Sequence, residues 1–165
     1  MVTGRNMIIV LIIAAVIGTV VILRKPSDEQ LIRNQLTQLA ELATRQTGEQ
    51  PMEALTKAGK ISSLFTQTSI LKVDNPPSEE SLSRQQVKQR IIMARNFFSS
   101  LNVTFYDVNV IISSPIQADV VLTMRLSGQM HGENYTDTQE VDFVFKKTEK
   151  NWLISSVKLV EFLEK

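Results

Sequence analysis

The chain has 165 residues, 43% of them apolar, with 18 basic and 17 acidic side chains and a net charge of +1. Charges of both signs are interspersed, so there is no electrostatic footprint for nucleic acid. Cysteine is absent, which excludes structural disulfides and thiol catalysis and suits an oxidising compartment.

Residues 1–6 form a short tail, and Met7 to Leu23 is an unbroken apolar run. As a helix the run spans roughly 25 Å, at the short end for crossing a bilayer core. It has no polar face, unlike a helix on the surface of a globular domain. Arg5 supplies the basic start of a signal peptide, but Val21, Ile22 and Leu23 are too bulky for a cleavage site, and Ala14, Ala15 and Gly18 lie inside the apolar core. The expectation is an uncleaved single-pass anchor over 7–23. Arg5 on one side and Arg24 with Lys25 on the other leave the basic-residue rule without a decision. A six-residue tail argues for export of the larger part, so the domain over 27–165 is expected outside an inner membrane, in a periplasmic or extracytoplasmic space.

Ser27 caps the next helix, with Gln30 placed to reciprocate and Asp28 and Glu29 at the positive end of the dipole. Leu31, Ile32, Leu36, Leu39, Leu42 and Ala43 recur at helical spacing, and Gly48 is the expected stop. A short helix follows with Pro51 in its first turn and Gly59 as its stop. Residues 60–74 mix Ile, Leu, Phe, Thr and Val and read as extended. A second long helix is expected from a cap at Ser78, through Glu79 and Glu80, to an apolar face of Val87, Ile91, Ala94, Phe98 and Leu101. Arg84, Lys88 and Arg95 fall outside that stripe and read as solvated.

After Asn102 the period becomes two. Four strands in succession are separated by Ser113-Ser114-Pro115 and by two charged turns. Val120, Leu122, Met124 and Leu126 share one face, and Thr123, Arg125, Ser127 and Gln129 the other. Val141, Phe143 and Phe145 point inward, away from Asp142 and Lys146. The fold class is α+β, an antiparallel meander with helices on one face.

Two helices, an extended segment, a long helix and four long strands resemble the nuclear transport factor 2-like (cystatin-like) superfamily over roughly residues 28 to 163. The closing stretch with Phe143, Phe145, Lys150, Trp152, Ile154 and Val157 is similar to that family's final hairpin. The resemblance implies a curved sheet of about four long strands wrapped round a helix into a cone. It also implies that catalytic members carry Asp, Tyr or His inside the cone, tuned by an apolar setting. Here the face read as inward is hydrocarbon, without a carboxylate on the central strands, so no catalytic residue is assigned.

Low on the scale of chemical pattern are the remaining candidates. Tyr106, Asp107 and His131 are read at the cone mouth, and Met124, Met130, Phe143 and Phe145 as its apolar lining. The single histidine at a Gly-flanked tip could reach Glu133, Tyr135 or Asp137, yet a zinc site needs three or four good ligands and none is expected. No cofactor is expected. Thr123, Arg125, Ser127 and Gln129 form a polar row fit for a protein interface, including that of a homodimer. An anchor followed directly by such a domain resembles, in architecture, the bridging subunits of type IV secretion machines. Two functions follow: a non-catalytic interaction module of an envelope assembly, or an anchored small-molecule binder or isomerase/cyclase-like enzyme using the cone. A cone filled by its own side chains favours the first, and an open cavity with a buried ionisable group favours the second.

Overall fold

The computed structural model describes residues 26–74, 76–149 and 151–160. The expected anchor over 7–23 and the tail before it lie outside the described residues, among which no helix is long and apolar enough to cross a membrane. Among the described residues three helices, α1 (Asp28–Ala43), α2 (Pro51–Ser63) and α3 (Arg84–Asn96), accompany six strands. These are β1 (Phe65–Val73), β2 (Ser78–Ser83), β3 (Phe98–Ser114), β4 (Gln117–Met130), β5 (Glu133–Thr148) and β6 (Asn151–Val160).

The strands form one sheet in the order β2-β1-β6-β5-β4-β3. The four-strand meander is present, but β6 continues the sheet by pairing in parallel with β1, and β1 pairs antiparallel with β2. A sheet of six strands therefore replaces the expected four. The parallel pairing joins segments some ninety positions apart, so no local turn signal announces it.

Ser27 caps α1 by accepting a bond from the Gln30 amide. The helix stops at Ala43 rather than at Gly48, because Arg45 leaves it to exchange both backbone hydrogen bonds with Leu101 on the β3 edge. Helix α2 runs through Gly59 to Ser63, since Ile61 and Ser62 beyond the glycine are buried against the domain. The largest correction concerns residues 78–83. Ser78 begins strand β2, and the cap of α3 is Ser83, which forms a reciprocal box with Gln86. Ser78 has Ser81 at the reciprocating position, a side chain too short to return the bond. Phe98 and Leu101 likewise belong to β3 and not to the helix, so the period changes at Phe98 rather than after Asn102.

The core lies between α1 and the helix-covered face of the sheet. Ile32, Leu36 and Leu39 pack on Val120 and Leu122 of β4, Val141, Phe143 and Phe145 of β5, and Trp152 and Ile154 of β6. The inward set read from alternation is correct for β4 and β5, whose pairing runs without a register shift from Gln117 to Met130. Asp28 ties the start of α1 to the β5–β6 hairpin. It accepts two bonds from Lys147, at 2.7 and 3.0 Å, and one from the Trp152 indole at 3.0 Å.

Candidate functional site

Two-residue steps back from Phe145, Phe143 and Val141 lead to Gln139, Asp137 and Tyr135 on the same face of β5. Their partners across the ladder are Met124, Leu126 and Gly128, which continue the inward row of β4. The helix-covered face thus does carry a carboxylate, against the sequence reading. Extending the alternation of β5 two steps further would have found it. Asp137 Oδ2 accepts hydrogen bonds from the Gln139 amide at 2.9 Å and the Tyr135 hydroxyl at 3.2 Å. Phe98 packs edge-on against Tyr135 with ring centres 5.3 Å apart.

Burial pushes the Tyr135 phenol above its ordinary range, and the adjacent Asp137 charge and hydrogen bond add to the shift. At neutral pH the phenol is protonated and donates to Asp137. The group is a half-buried, oriented acceptor beside apolar Met124 and Leu126, able to take a further hydrogen bond at this end of the face. Deeper in, the cone is occupied: Phe145 is wholly buried and Phe143 nearly so. Phe143 lies 6.2 Å from the Phe145 ring and 6.4 Å from Phe105.

The other sequence candidates separate. Tyr106 and Asp107 do not begin a strand but sit midway along β3 at an irregularity between Tyr106 and Asn109. Asp107 adopts a positive φ of 51° there, and both side chains are exposed. Tyr106 pairs with Thr123, which puts it on the uncovered face of the sheet rather than at the mouth. His131 is exposed at the β4–β5 tip, where with Gly132 it forms a turn of positive φ, and its ring meets the edge of Phe97. The structure does not gather Tyr106, Asp107 and His131 into one pocket. Met124 is half-buried against the core. Thr123, Arg125, Ser127 and Gln129 do share the uncovered face, in rows Tyr106–Thr123–Glu140, Thr104–Arg125–Thr138 and Asn102–Ser127–Thr136.

A second feature escaped the sequence reading. Arg95, expected on a solvated face, is buried, and its side chain donates to both oxygens of Glu49 at 2.8 and 2.6 Å and to the carbonyls of Leu42 and Ala43. Glu49, whose side chain is 1% exposed, also meets Lys57 at 2.7 Å. Burial alone would raise the Glu49 carboxyl, but hydrogen bonds from Lys57 and Arg95 outweigh it and hold the group below its usual value. The cluster clamps the α1–α2 loop onto α3. Arg95 and Lys57 take up both Glu49 oxygens, so the cluster's role is structural, and Arg95 also borders a small hollow of about 220 Å³ with Pro51, Leu55 and Ile92.

Among the described residues no cluster of His, Cys, Asp and Glu could hold a metal ion. An open groove of about 700 Å³ runs between α1 and the β3 edge, with Arg33, Thr37, Glu41, Thr44, Asn102 and Thr104 along it. Its polar side chains are dispersed and do not converge on one point.

No family model matches the chain, and no curated protein resembles it in sequence. Solved structures do resemble it in shape. A nuclear transport factor 2-like protein with a cystatin-like fold from Novosphingobium aromaticivorans superposes with a TM-score of 0.65 at 12% identity, covering 100% of this chain and 94% of its own. A candidate scytalone dehydratase from the same organism gives 0.61 at 11% identity, over 80% of this chain and 82% of its own. A candidate calcium/calmodulin-dependent protein kinase II association domain from Xanthomonas campestris gives 0.59 at 18%, over 86% and 91%. Likeness at such identities speaks for backbone arrangement alone: the chain has the α+β nuclear transport factor 2-like, cystatin-like fold.

Proposed function

We propose that the chain is a membrane-anchored, non-catalytic interaction module of the cell envelope, held by residues 7–23 with its domain outside the inner membrane. The observation that carries this reading is the filled cone. Phe143, Phe145, Leu122 and Ile154 are all at most 5% exposed and, with Ile32 and Leu36, fill the space between α1 and the central strands, with an open groove left towards β3. Recognition then falls to the outer surfaces, and the uncovered sheet face offers the best one. Arg125 stands exposed between Thr104 and Thr138, with Glu140 on the neighbouring row. A cation and an acid on one flat face suit a two-fold contact in which each meets its opposite on a second copy. The Xanthomonas structure, described as an association domain, lends the fold a precedent for this use. The anchor would raise the domain's effective concentration near membrane partners.

The test is photo-crosslinking in intact membranes from positions 123, 125, 127 and 129. Discrete adducts from this row, lost on Arg125→Glu, are expected. Absence of any adduct from all four positions would overturn the assignment of the interface.

The Asp137 group favours a second reading, an anchored binder of a small donor-bearing molecule at that end of the covered face. It predicts a ligand whose stabilising effect on thermal unfolding disappears in Asp137→Asn. The candidate dehydratase among the similar structures supports it only through the fold.

A further inference from the structure

The β3–β4 hairpin carries isoleucines that the rest of the domain leaves uncovered. Ile116 at the tip is 67% exposed, Ile111 is 54% and Ile112 is 41%. Pro115 beside them is also exposed. Three β-branched hydrocarbon side chains within six positions exceed the scattered apolar residues usual on a protein surface.

Their position in the fold points to what meets them. The Lys147 amide donates to the Ile116 carbonyl at 2.9 Å, and Gln117 pairs with Lys146. The Lys147 ammonium in turn holds Asp28, the first residue of α1, at 2.7 Å. One residue therefore joins the isoleucine tip to the point where the chain enters the domain. The apolar run ends at Leu23, five residues before Asp28, and a fully extended link of that length reaches at most about 17 Å. A different exposed apolar group, Met93 and Phe97 beside His131, lies by the β4–β5 turn at the opposite end of β5. Sixteen residues of strand set those two ends up to about 50 Å apart.

We propose that the β3–β4 hairpin rests in the headgroup–acyl boundary of the bilayer that holds residues 7–23, as a second, interfacial membrane contact. This rests on reading 7–23 as an anchor. The anchor confines the tip beside the surface, so a contact too weak to recruit a free domain is populated. Exposed Lys146 next to the hairpin can keep its ammonium among the headgroups while Ile112 and Ile116 enter the acyl margin. Two attachments also hold the domain in one orientation, with the Met93–Phe97 end directed away from the membrane.

The chain lacks cysteine, so single-cysteine variants Ile116→Cys, Phe97→Cys and Ile13→Cys of the full chain can each carry an environment-sensitive fluorophore. They are reconstituted into phosphatidylethanolamine–phosphatidylglycerol vesicles with or without a lipid bearing a nitroxide near the headgroup. The label at 116 is expected to be quenched by that lipid at least about threefold more than the label at 97, as for other interfacial side chains. Equal quenching at 116 and 97, with both open to aqueous iodide, overturns the proposal. A label at 116 shielded from iodide but untouched by the lipid nitroxide also overturns it, because a second protein surface then covers the tip. The label at 13 reports separately on the anchor: lipid-protected there but aqueous at 116 sinks the hairpin contact alone, and aqueous at both sinks the two together. Lipid quenching at 116 with position 13 lipid-protected supports the contact, whereas lipid quenching at 116 with position 13 aqueous overturns it, since the hairpin is then not a second attachment beside an anchor.

Discussion

Arg95 shows how little a single residue type settles. On a helix surface an arginine is usually solvated, but this one finds a buried carboxylate and two helix-end carbonyls. Removing one partner of an enclosed ion pair strands the other charge, at a cost of about 3–5 kcal/mol. Glu49→Gln should lower stability towards that range in urea unfolding, whereas Arg90→Ala, which breaks a half-exposed pair with Glu80, should cost below about 1 kcal/mol. Equal losses would mean that the Glu49 cluster is solvated. A different measurement addresses Asp137. Burial and the Asp137 charge push the ionisation of Tyr135 upward. Asp137→Asn removes the repelling charge, so ultraviolet titration should show the Tyr135 phenol ionising at lower pH. An unmoved titration would separate Asp137 from Tyr135.

At the scale of elements, hydrogen-bond accounting at the ends decides boundaries. Ser83→Ala removes the cap of α3 and should cost about 1 kcal/mol, while Ser78→Ala, at the cap expected from sequence, should be near neutral in the same unfolding assay. The β3–β4 pairing is most constrained at Gly128. A β-carbon built there would collide with the Ser100 carbonyl oxygen, which β3 brings close at an irregularity between Phe98 and Ser100. Since backbone and not a flexible side chain obstructs it, Gly128→Ala should destabilise by about 2 kcal/mol or more, comparable to overpacking a core. Gly132, with open space around it, should show only the smaller strain of a left-handed backbone.

For the whole molecule, ionisable ties between distant segments set the pH range of stability. Glu49 and Asp28 are held below their ordinary values, so their stabilisation is complete above those values and is lost as pH falls through the depressed ones. Lys57 is raised by the hydrogen bonds it donates to Glu49 and Glu53, and Lys158 by the one it donates to Asp74. Their contribution is complete below the ordinary lysine value and is lost as pH rises through the elevated one. Urea midpoints should therefore form a plateau between about pH 4.5 and 10.5, falling on both sides. Glu49→Gln should shrink the acid-side fall. A midpoint that rises as pH drops below 4 would contradict the assignment of these carboxylates.

The sequence alone determined the parts of this protein that repeat. The 3.6-residue recurrence from Leu31 to Ala43 marked α1, and alternation over Val120–Leu126 and Val141–Phe145 marked which side chains fill the cone. Both follow from local geometry that every residue in the element reports. The same alternation held Asp137, two steps beyond Val141, where the reading stopped. Other features needed the tertiary structure because they join segments far apart in the chain: the parallel β1–β6 pairing, the Glu49–Arg95 pair, and the early end of α1 where Arg45 bonds to Leu101. So did the separation of Tyr106, Asp107 and His131. An irregularity in β3 and a tight turn at Gly132 redirect side chains with no change in the polarity pattern, which is all a sequence displays of them.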